Sequence, residues 1–70
     1  MATEKQIKKF MLAHWEDHLD DSGCLNMTSL AEDAAIELND SRAEEDIPEE
    51  YFEIALAVQE ALRKAGHVNS

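Results

Sequence analysis

The sequence predicts a small all-α protein, a three-helix bundle forming a single domain over residues 1–70. Three observations predict it. Large apolar residues recur at intervals of three and four in three stretches, as on a helix with one buried side. Start and stop signals frame those stretches, with Thr3, Ser29 and Pro48 near the openings and Gly23 and Gly66 beyond two of the closings. Finally, 70 residues leave no room for two domains, and ten of the apolar residues are alanines, so the larger side chains suffice for one small core.

The first helix is expected over roughly 4–21. Thr3 and Gln6 form the Thr-x-x-Gln capping box, and Ile7, Phe10, Met11, Trp15 and Leu19 lie on one stripe with His14 and His18. Asp20-Asp21-Ser22-Gly23 ends it, the glycine supplying a left-handed closure. The second is expected over 28–39, opened by Ser29 with Glu32 and facing inward with Leu30, Ala31, Ala34, Ala35 and Leu38; these mostly small side chains permit close approach. Residues 39–46 lack a large apolar residue and read as an acidic, mobile loop. The third helix is expected over 47–65, with Pro48 in its first turn. Its apolar positions are Tyr51, Phe52, Ile54, Ala55, Leu56, Val58 and Leu62, and Gly66 stops it. Leu12 and Ile36 complete the expected core, and residues 66–70 read as a frayed tail.

Charge bounds the function. Sixteen Asp and Glu oppose six Lys and Arg, a net −10. Residues 1–9 and 63–70 carry +2 each, so the stretch between, with 15 carboxylates against Arg42 alone, stands at −14. Nucleic acid and anionic membranes attract basic patches, so neither is an expected partner. The amino terminus has no apolar signal region, and no stretch is long enough to span a bilayer. One cysteine, Cys24, cannot close an internal disulfide, which points to a reducing, cytoplasmic setting.

Chemistry by this chain alone is not expected. No nucleophile has a base at a recognisable spacing, no glycine-rich phosphate loop exists, and exposed acids without a cleft keep ordinary acidity. His14 and His18, placed i and i+4 on a helix, would lie about 6 Å apart, and with Cys24 and Asp20 or Asp21 could hold zinc. Set against this, the chain offers no second ligand pair, and two histidines on a helix face are more simply half-buried structural residues. A calcium loop with Gly23 as its sixth residue would begin at His18 and end at Ser29, neither a carboxylate. No cofactor is expected.

The acids form like-charged pairs four apart: Glu16 with Asp20, Asp17 with Asp21, Asp33 with Glu37, and Glu49 with Glu53. On a helix each such pair costs about 0.2–0.5 kcal/mol. Near the chain's ends, by contrast, Glu4 with Lys8 and Glu60 with Lys64 are favourable pairs. An acidic surface also serves solubility alone, but tolerated self-repulsion suits a face that meets something basic. The expected partner is a basic protein surface of the kind that holds nucleic acid, and the chain would block it by mimicking DNA. The expected face is Glu16, Asp17, Asp20, Asp21, Asp33, Glu37, Glu44, Glu45, Asp46, Glu49, Glu50 and Glu53. Whichever of Trp15, Tyr51 and Phe52 is partly exposed would supply an apolar anchor. The stretch Ile47-Pro48-Glu49-Glu50-Tyr51-Phe52 resembles a segment of phage DNA-mimic anti-restriction proteins, which are longer and more acidic; the likeness covers six of the 70 residues. It implies an inhibitor of the anti-restriction or anti-CRISPR kind and assigns no site. Two alternatives are a zinc-binding helical protein using His14, His18 and Cys24, and a self-associating adaptor or homodimer. The second follows from Ile54 and Leu56, which make the apolar face of the third helix wider than one small core needs.

Overall fold

The structure, a computed structural model, describes residues 2–39 and 46–69. It is a small all-α three-helix bundle. Helix α1 spans Glu4–His14, α2 spans Met27–Asn39 and α3 spans Glu49–Lys64. The capping box forms at Thr3: its hydroxyl accepts from the Gln6 N–H at 3.2 Å, and the Gln6 side chain accepts from the Thr3 N–H at 2.8 Å.

The first helix is shorter than its apolar stripe predicts. His14 leaves helical geometry at φ −124°, and Trp15–His18 tighten into one 3-10 turn before Leu19 becomes extended. The tightening turns His18 toward α2, where it finds polar partners that a continued α1 would not reach. Leu19 then bridges antiparallel to Leu25. Between them the Asp20 N–H donates to the Cys24 carbonyl at 3.0 Å, and the Asn26 N–H to the His18 carbonyl at 2.9 Å. Gly23 is left-handed as expected, at φ +83°, but it serves this tight turn and not the end of α1.

Asn26 and not Ser29 opens α2, its side-chain carbonyl accepting the Ser29 N–H at 3.1 Å. Pro48 stands just before α3, at its N-cap. At the far end of α3, Gly66 is left-handed at φ +82°, the His67 N–H reaches the Leu62 carbonyl at 2.9 Å and the Gly66 N–H the Arg63 carbonyl at 3.0 Å. Two such bonds, six-to-one and five-to-two, are the Schellman closure that satisfies the last free carbonyls.

The core takes Ile7 and Met11 from α1, Leu30, Ala31, Ala34 and Ala35 from α2, and Tyr51, Ile54, Ala55, Val58 and Leu62 from α3. Leu38 and Phe52 pack at its margin. Three residues expected inside are outside: Leu12 is 45% exposed, Ile36 54% and Leu56 50%. Their positions explain it, since α1 turns Ile7 and Met11 inward, Ile36 lies opposite the alanine face of α2, and Leu56 lies beyond the edge of the buried α3 face. Burial pushes the Tyr51 phenol upward, with the neighbouring Glu50 carboxylate adding to the shift.

Residues 66–69, expected as a tail, turn back onto the bundle. Val68 is buried in the core, the Asn69 N–H donates to the Gly23 carbonyl at 2.9 Å, and the Asn69 side-chain amide donates to the Ser22 carbonyl. The Trp15 and His67 rings face each other at 5.9 Å. These contacts bring the end of α3 to the end of α1 and the start of α2, so α1 and α3 run in the same direction and α2 runs against them. Residues 40–45, most of the loop expected to be mobile, lie outside the described residues, as do Met1 and Ser70.

Candidate functional site

The expected acidic face divides into carboxylates the fold uses and carboxylates it leaves outward. Asp20 belongs to the first group. Its Oδ1 accepts from the Cys24 N–H at 2.9 Å, the Ser22 hydroxyl at 2.8 Å and the Ser22 N–H at 2.9 Å. The Cys24 amide is the main cause, with the Ser22 hydroxyl next, of an acidity held below the usual carboxylate range. Asp33 is the other, its Oδ2 lying 3.0 Å from His18 Nε2. Glu16, Asp17, Asp21, Glu37, Glu49, Glu50 and Glu53 are exposed, and among the described residues none of them is in an ion pair. Asp46 is exposed, while Glu44 and Glu45 lie outside the described residues.

Two of the four like-charge pairs dissolve with the shortened helix. Glu16 and Asp17 sit in the 3-10 turn and Asp20 and Asp21 in the tight turn after it, so helical i,i+4 proximity does not apply to them. Asp33 with Glu37 on α2 and Glu49 with Glu53 on α3 retain it. Glu60 pairs with Arg63 at 2.7 Å and not with Lys64, and Glu4 and Lys8 form no ion pair.

His14, His18 and Cys24 are each engaged separately. The His14 ring is exposed and lies 4.3 Å from the Phe10 ring. His18 is enclosed to 14% side-chain exposure, with Nδ1 2.8 Å from Ser29 Oγ and Nε2 on Asp33. Cys24 Sγ lies 3.5 Å from the Ser22 hydroxyl. Among the described residues, no three His, Cys, Asp or Glu side chains are grouped to hold a metal ion.

Ser29, His18 and Asp33 stand in the order of nucleophile, base and orienting acid, an arrangement invisible in the sequence until the 3-10 turn swings His18 over α2. The Ser29 N–H, the amide nearest that hydroxyl, is already donated to Asn26, and the hydroxyl itself lies 3.3 Å from the Asn26 carbonyl. Acyl transfer needs free donors aimed at a developing oxyanion. Here the linked groups fasten the 3-10 turn to the first turns of α2. Ser29 and Asp33 are one helical turn apart on α2, the one signal in the sequence that could have marked them as joint partners.

Comparison with protein-family models, curated proteins and solved structures found no match. No described helix is long and apolar enough to cross a membrane.

Proposed function

We propose that this chain is a protein-binding module whose outward carboxylates occupy a basic, nucleic-acid-binding groove of a partner and so exclude DNA from it. The observation that carries this is the set of exposed acids without an ion pair among the described residues: Glu16, Asp17 and Asp21 around the 3-10 and tight turns, Glu37 on α2, and Glu49, Glu50 and Glu53 at the start of α3. Their density is of the right order. The longest dimension of the protein is 31 Å, and duplex DNA of that length carries about 18 charges at one per ~1.7 Å. The chain's net −10 supplies more than half of that.

Salt-dependent competition tests the proposal. The immobilised protein should retain a basic DNA-binding protein at low salt, release it at high salt, and release it to added duplex DNA. Combined Glu16→Gln, Asp17→Asn and Asp21→Asn should weaken retention. Glu49→Gln with Glu53→Gln should weaken it too while leaving the fold intact or stabilising it by about 0.2–0.5 kcal/mol. Retention that ignores salt, DNA and both sets of substitutions would sink the idea.

A further inference from the structure

Two outward helix stripes carry opposite charges in the same spacing. On α1, Lys5, Lys9 and Leu12 stand at i, i+4 and i+7, with Lys8 beside them; all are exposed, Leu12 to 45%. On α3, Glu49, Glu53 and Leu56 stand at the same i, i+4 and i+7, all exposed, Leu56 to 50%. Residues so spaced share one side of a helix. Each stripe is therefore an unpartnered apolar residue preceded by two turns of a single charge sign, and each is the electrostatic complement of the other.

We infer that the occupant of these stripes is a second copy of this chain, α1 of one copy lying along α3 of the other. Parallel alignment sets Lys5 on Glu49, Lys9 on Glu53 and Leu12 on Leu56, whereas antiparallel alignment would set Leu12 against Glu49. The leucines supply the water-excluding contact, and the charges around them fix direction and register. Both stripes lie on the sides of α1 and α3 turned away from the buried residues, so they point to different sides of the bundle and the contact is heterologous, each copy offering one stripe to the next. The opposing force is repulsion between two molecules of net −10. At about 0.15 M ionic strength the screening length is about 8 Å, so repulsion between distant acids fades while charges in contact still attract.

Analytical ultracentrifugation of the protein alone, at physiological ionic strength and from micromolar to millimolar concentration, tests this without any partner protein. The mass should rise from 7.9 kDa to twice that value and beyond as concentration increases. Two charge-reversal variants, Lys5→Glu/Lys8→Glu/Lys9→Glu and Glu49→Lys/Glu53→Lys, should each stay single with helical circular dichroism unchanged. Mixed in equal amounts, they should associate, since each then carries what the other lost. Should either reversal fail to fold, Leu12→Gln and Leu56→Gln must each lower the association of the otherwise unchanged protein. A mass of one chain throughout the concentration range, or association that survives the reversals or both leucine substitutions, would overturn the inference. Partner retention persisting in a protein that stays monomeric would leave the DNA-mimic proposal standing and remove only this one.

Discussion

Asp20 shows what a single acid does in a chain that has sixteen. With three hydrogen bonds arriving on one oxygen, its charged form is favoured in the folded protein, and its acidity lies below the ordinary range. For a carboxyl shifted downward, the stabilisation is present above the unfolded value of about 4 and is lost as the pH falls through the lower folded value. The Ser22 and Cys24 amide resonances should therefore titrate with a midpoint below that ordinary value, and Asp20→Asn should abolish the titration. A midpoint at or above it would mean the carboxylate does not hold the turn. The neighbouring Asp21 makes no such bonds, so two adjacent, identical residues divide between structure and surface. Sequence reasoning groups them because composition and spacing are the same; what separates them is that the turn folds the Ser22 and Cys24 amides back onto the first carboxylate and not the second.

Among elements, the helices with local signals were legible and the segments positioned by distant contacts were not. The Thr3 capping box, the small inward face of α2 and the stop at Gly66 depend on residues within a few positions of one another, and they form as the sequence implies. The 3-10 turn depends instead on Ser29 and Asp33, 11 and 15 residues beyond His18. The last residues look polar and dispensable in sequence, yet Val68 is buried and Asn69 is bonded to Gly23. Val68→Ala removes two buried methyl groups and should destabilise by about 1–2 kcal/mol, at roughly 0.8 kcal/mol per buried carbon. Urea unfolding at neutral pH measures it, and an unchanged midpoint would return this segment to the status of a frayed end. The acidic face was legible as composition, but its geometry was not, because half of its expected like-charge pairs assumed a helix that ends at His14.

At the scale of the whole molecule, repulsion outweighs pairing. A net charge of −10 sits on 4650 Å² of surface, with an exposed Glu60–Arg63 pair of the kind that contributes little. At about 0.01 M salt the screening length is about 30 Å, close to the 31 Å length of the protein, so every acid senses the others. At about 0.15 M it falls to about 8 Å. Dilute protein should accordingly melt at a higher temperature as salt is raised across that range, read by circular dichroism. A fall in melting temperature would show that attractive contacts dominate the surface. Core and surface thus pull in opposite senses, and the alanine-lined approach of α2, with its four fully buried positions from Leu30 to Ala35, works against that repulsion.

The clasp of Asn69 on the turn after the 3-10 segment cannot hold by itself. Its amide and the Ser22 carbonyl are 47 residues apart along the chain. Bringing such distant points together in an unfolded chain costs about 3.4 kcal/mol from loop entropy alone, more than a couple of hydrogen bonds return at about 1 kcal/mol each. Once α3 has docked and Gly66 has turned the chain, only His67, Val68 and Asn69 remain to be placed. The clasp therefore holds only on an assembled bundle, where its two bonds add to a packing that the buried residues already maintain.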